Sequence, residues 1–199
     1  MIATERKMMG VYMLEISMFA LASMTQILVG LTNLQGTEKN YVYDYEELYC
    51  LATNAYHEAR GEGFDDKLAT SQVVMNRVDS LDYPKTACDV ITEGPVVESW
   101  KTRKDPSLTD LERKYYPKRN RCQFSWYCDG KSDHIYNMEG WEDSVIASYL
   151  AHTGYGEDIV GGATHYYAHK VTTPSWAKDM RVTAKLNGHT YLKEKNNKK

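Results

Sequence analysis

At 199 residues the chain has room for one ordinary domain with short extensions and a real hydrophobic core. Its formal net charge of -3 excludes a general electrostatic attraction to nucleic acid or to membrane surfaces. Sixteen tyrosines and four tryptophans stand against only three phenylalanines. Such amphipathic rings suit a wet, half-exposed cleft better than a dry core.

In chain order the first feature is an uncharged run from Ile16 to Leu34, preceded by Arg6, Lys7 and Glu15. Basic residues ahead of an apolar run resemble an export signal, with Ala20-Leu21-Ala22 as a cleavage site. Ser17, Ser23, Thr25, Gln26, Thr32 and Asn33 dilute the run below the ~20 predominantly apolar residues of a stable spanning helix. Residues 1–36 therefore read as an export signal or weak membrane anchor, which implies export to the periplasm or wall and a transient inner-membrane association. The third reading is a helix packed on the domain. The main domain is placed at 41–195, followed by a basic tail at 196–199.

Asp44 with Glu47 three residues later has the pattern of a capping box. Leu48, Leu51, Ala52, Ala55, Tyr56 and Ala59 then share one helical face, and Gly61 and Gly63 end the helix. A second helix is predicted over 65–80 and stopped by Tyr83-Pro84. A long irregular stretch runs to Asn120. Cys122–Cys128 reads as a short strand or hairpin arm, Trp141–His152 as a third helix, and Asn187-Gly188 as a hairpin turn between two late strands. The expected fold class is α+β: small, helix-dominated, with short β-hairpins.

Four cysteines, Cys50, Cys88, Cys122 and Cys128, allow two disulfides in three connectivities. Their spacings do not match paired zinc ligands. Between Glu98 and Arg121 eight basic residues meet four acids, a pattern of either a solvated loop or a surface for an anionic polymer.

The chemistry concentrates at Glu58. It lies about 80° around the helix from Leu48, at the edge of the apolar face and in the last turn. Half-burial and the negative end of the helix dipole both raise a carboxyl pKa. A carboxylic acid protonated near neutrality can protonate a leaving glycosidic oxygen. The bland alternative is a surface glutamate paired with Arg60 or Lys67. Two-carboxylate hydrolysis needs a partner, for which Glu62, Asp129 and Asp133 are the available residues. A lytic transglycosylase works with one acid, because the muramic 6-hydroxyl itself attacks the anomeric carbon. Gln123, Phe124, Ser125 and Trp126, with His165, Tyr166 and Trp176, supply aromatic and polar side chains suited to a sugar-binding groove, and Glu62 joins them as a substrate-contact candidate. His57 faces another side of the helix and reads as structural. His165 and His169 lack the helical context of a zinc pair, so neither a metal nor another cofactor is expected.

These stretches, Tyr56-His57-Glu58-Ala59-Arg60-Gly61-Glu62, Val73-Val74-Met75-Asn76-Arg77-Val78, Cys122-Gln123-Phe124-Ser125-Trp126 and Gly162-Ala163-Thr164-His165-Tyr166, resemble the SleB-type cell-wall hydrolases, across about residues 45 to 180. The resemblance implies a lysozyme-like fold, peptidoglycan glycan strands as the partner, lytic transglycosylase or muramidase activity, and Glu58 as the catalytic residue. The insertion at about 98–120 and the lack of a separate wall-binding repeat depart from that pattern. They favour a phage lysis or wall-remodelling enzyme, expected as a monomer, over a sporulation role. The rival of another class is a non-catalytic glycan-binding module in which Trp126, Tyr166 and Trp176 stack on sugars.

Overall fold

The structure, a computed structural model, describes residues 18–35 and 44–195. Arg6, Lys7, Glu15 and the basic tail 196–199 lie outside the described residues. Helix α1 spans Met18–Gln35, α2 Tyr45–Glu58, α3 Phe64–Asp79, α4 Ala87–Ile91, α5 Trp100–Arg103 and α6 Met138–Thr153. Strands β1 (Val96–Glu98) and β2 (Tyr115–Pro117) form one antiparallel pair. Strands β3 (His165–Ala168), β4 (Met180–Lys185) and β5 (His189–Glu194) form an antiparallel sheet in the order β3-β5-β4. The α+β expectation holds.

The sequence dictates α2 clearly. The Asp44 carboxylate accepts from the backbone N–H groups of Glu46 and Glu47, which would otherwise be unpaired. Glu47 does not return the bond to Asp44. It reaches across to accept from the Ala87 N–H at the start of α4. The predicted face, Leu48 to Ala59, is buried, and so are Thr53 and Asn54 on other sides. Two packing surfaces explain that: α1 and α6 cover one side of α2, α3 and α4 the other. Burying a leucine such as Leu48 or Leu51 contributes about 1.5–3 kcal/mol.

Helix α1 packs on the rest of the domain. Ala20, Met24 and Leu28 are fully buried against Leu48, Tyr149 and Trp141. The Trp141 indole N–H donates to the Ala20 carbonyl (3.3 Å) and to Ser23 Oγ (3.1 Å). Residues 18–35 thus follow the packed-helix reading. Among the described residues no helix is long and apolar enough to cross a membrane, which leaves the anchor without support.

Cys50 bonds Cys88, tying α2 to α4, and Cys122 bonds Cys128. The second ring closes over so few residues that Ser125–Cys128 coils into a 3-10 turn instead of the expected strand arm. The stretch expected to be irregular holds β1 and β2, whose Val96-Val97 and Tyr115-Tyr116 are β-branched and aromatic residues that favour strands.

Asn187-Gly188 does turn the β4–β5 hairpin, closed by Leu186 N–H donating to the His189 carbonyl (3.0 Å). Neither residue has a positive φ, so left-handed backbone is not what requires the glycine. A Cβ on Gly188 would stand 2.7 Å from Glu62 Oε1. The glycine makes room for that carboxylate.

Candidate active site

Glu58 is the last residue of α2. The chain leaves the helix through Ala59, and Gly61 adopts φ 81°, a left-handed conformation that favours glycine. The helix therefore ends before Glu62. Its carboxylate lies against the β4–β5 turn at Gly188 and is not among the groups acting on the Glu58 carboxyl.

Tyr166 meets Glu58 from β3. Its hydroxyl donates to Glu58 Oε2 at 2.8 Å. Two side chains of α3 hold the segment leading into β3: Asn76 Nδ2 donates to the Ala163 carbonyl (2.9 Å) and Arg77 Nε to the Thr164 carbonyl (2.7 Å). Arg77 is itself buried, its guanidinium over the rings of Tyr83 (5.3 Å) and Phe124 (5.4 Å). In the sequence Asn76 and Arg77 stand within the Val73–Val78 stretch with no pattern that assigns them a role. A polar pair closing an apolar helix was the available signal.

Behind Tyr166 stands His189, edge-on to its ring at 5.4 Å between centroids. His189 Nδ1 lies 3.3 Å from Asp66 Oδ1, and Asp66 is fully buried. Asn187 Nδ2 donates to the other Asp66 oxygen at 3.4 Å. This layer too was missed, because its members lie on distant elements.

Burial pushes the Glu58 carboxyl above the ordinary range. The Tyr166 hydrogen bond and the charges of His189 and Arg77 pull the other way without reversing it. Among the described residues, no acid is among the groups acting on Glu58. Burial and the Glu58 charge drive the Tyr166 hydroxyl far upward, so it stays a donor.

Glu58 opens onto a polar cleft of about 280 Å³, shared with His57, Ser125, Trp126, Asp129 and Asp133. His57 stacks on Trp126 at 4.8 Å and 20°, and burial lowers its imidazole pKa. It lines the cleft, contrary to the reading that set it on another side. Its Nε2 is buried and has no hydrogen-bond partner among the described residues. Lys131 bonds lower the Asp129 carboxyl, whereas burial raises Asp133, with Asp129 adding to the effect.

The other expected groove residues divide. Ser125 is exposed in the cleft. Trp126 contributes an edge only: it is 8% exposed, and its Nε1 donates to the buried Asn54 Oδ1 at 2.9 Å. Phe124 packs in the core with Leu51 and Val74, so it is not a groove wall. Gln123 is exposed outside the cleft lining, its backbone N–H bonded to the Glu93 carbonyl. His165 and Trp176 line a different cleft. His169 Nδ1 lies 3.3 Å from Thr190 Oγ1. Among the described residues no cluster of histidines, cysteines and acids could hold a metal.

A family model for cell wall hydrolases matches residues 61–192, and the chain belongs to that family of wall-degrading enzymes. Glu58 sits just ahead of the matched span. Among solved structures, the catalytic domain of the Bacillus cereus SleB protein aligns with a TM-score of 0.51 at 22% identity, covering 79% of this chain and 99% of that one. The catalytic domain of the germination-specific lytic transglycosylase SleB from Bacillus anthracis aligns with a TM-score of 0.54 at 24% identity, covering 77% and 98%. The fold is thus the small lysozyme-like one of those domains. No curated protein sequence gives a significant match.

Proposed function

We propose that the chain degrades peptidoglycan as a lytic transglycosylase, cutting the β-1,4 bond between N-acetylmuramic acid and N-acetylglucosamine with Glu58 as its only acid and base. The observation that carries this reading is the state of Glu58. Its carboxyl is raised by burial and held by the Tyr166 hydroxyl, and among the described residues no acid acts on it. Protonated Glu58 donates its proton to the glycosidic oxygen as the bond breaks. The resulting carboxylate then accepts the proton of the muramic 6-hydroxyl, whose oxygen bonds the anomeric carbon, and Glu58 is reprotonated. Tyr166 holds the carboxylate in place through both steps. The description of the Bacillus anthracis neighbour as a lytic transglycosylase supports this choice. The two disulfides fit work in an oxidising compartment outside the cytoplasm, in lysis or wall remodelling.

Muramidase hydrolysis is the second reading, because Asp129 and Asp133 face the same cleft and could activate a water. Digestion of purified sacculi in water labelled with heavy oxygen separates the two. Transglycosylation predicts 1,6-anhydromuramic ends without label. Reducing muramic ends carrying the label would assign hydrolysis and turn attention to Asp133.

A further inference from the structure

Side chains alternate between the faces of a strand. On edge strand β3, Tyr166 points to Glu58 while His165 and Tyr167 point to the opposite face. There Trp176, from the 3-10 turn Ser175–Asp179, lies 5.6 Å from the His165 ring and 6.1 Å from the Tyr167 ring. The His165 and Trp176 rings border a cleft of about 680 Å³, lined also by Asp179, Glu194 and Lys195. It shares no lining residue with the Glu58 cleft.

Trp176 is 41% exposed, far more than covering the sheet requires. A tryptophan held by two neighbouring rings yet left open presents a rigid apolar face. The two carboxylates accept from hydroxyl and amide N–H groups, and the Lys195 ammonium is a donor. That combination suits the C–H faces, hydroxyls and acetamido groups of an amino-sugar chain. Two carboxylates against one ammonium disfavour a phosphate-bearing polymer.

We propose that the cleft bounded by His165, Trp176, Asp179 and Glu194 is a second glycan site. It grips an amino-sugar strand of the wall while the Glu58 cleft engages the strand to be cut. The proposal rests on the cell-wall reading of the enzyme. It would give the domain a hold on an insoluble substrate apart from the Glu58 cleft. Two linked weak contacts on one polymer bind far more tightly than either alone.

Trp176→Ala tests it in two settings. In a Glu58→Gln background, which prevents turnover, sacculus binding should fall about five- to tenfold, the scale of losing one anchoring aromatic. In active enzyme, turnover should fall by a similar factor on sacculi and much less on soluble two-disaccharide fragments. Unchanged sacculus binding would overturn the proposal. So would equal losses on both substrates, which would place Trp176 in the catalytic groove. Wild-type protein inactive on both substrates would defeat the cell-wall reading, while the binding comparison would still report on the platform. Should the alanine variant fail to fold, chitotetraose is titrated into the Glu58→Gln protein and the Trp176 indole N–H followed by NMR. A saturable shift supports the site, and none refutes it.

Discussion

Glu58→Gln should lower wall lysis by about 10²–10⁴-fold, the range supplied by a positioned general acid. Glutamine keeps the size of the side chain and can still accept the Tyr166 hydroxyl, but it has no proton to give. Stability should move the opposite way. The folded carboxyl is raised by burial, so the folded state binds the proton more tightly than the unfolded chain does. Wild-type stability is then lost as pH rises from the ordinary carboxylate value through the raised folded one. An amide carries no such cost, and the variant should melt no lower than wild type at pH 7. Turbidity loss of sacculi and a melting curve check both. A variant that lyses walls as wild type does would falsify the assignment of Glu58. A variant that is inactive because it is unfolded would make the residue structural.

Deleting residues 1–36 should lower the melting temperature by roughly 10 °C or leave the protein insoluble. Met24 and Leu28 are fully buried, and each such side chain contributes about 1.5–3 kcal/mol. Removing them also uncovers parts of Leu48, Trp141 and Tyr149. Against a total stability of about 5–15 kcal/mol, that is a large share. The damage would reach the site, because Tyr56 belongs to the same cluster and lies in the last turns of the helix that ends in Glu58. Thermal denaturation of the truncated protein decides the matter. An unchanged melting temperature with full activity would mean that α1 is dispensable, and would restore the detachable export segment.

Local signals were legible in the sequence. The Asp44 cap, the apolar face of α2 and its glycine exit together located Glu58 at a helix end. What remained hidden depends on non-local pairing. Ala20, Met24 and Leu28 recur four apart in the mixed polar run of α1, but that spacing names no partner, and the side chains they meet lie on α2 and, far along the chain, on α6. His165, Tyr166 and Trp176 read as one groove, but the β3–β5 pairing puts the first and last on the face opposite Tyr166. The short disulfide ring turns Phe124 and Trp126 inward, Trp126 onto the buried amide of Asn54, where a sequence shows only two aromatics. Glu62 is diverted by one left-handed glycine. The buried Asp66–His189 pair joins α3 to β5, and no local pattern marks it.

The claim that the protonated Glu58 carboxyl carries the reaction is tested most directly by the alkaline limb of the pH profile. As a general acid, Glu58 should lose activity as pH rises through its raised pKa. Tyr166 opposes that rise by donating to Oε2, so Tyr166→Phe should raise the Glu58 pKa further while keeping the ring packing. The measurement is kcat/KM against pH on soluble glycan fragments for the two proteins. The account predicts that the alkaline limb moves to higher pH in Tyr166→Phe. A limb that stays in place, with only the height of the profile changed, would contradict it.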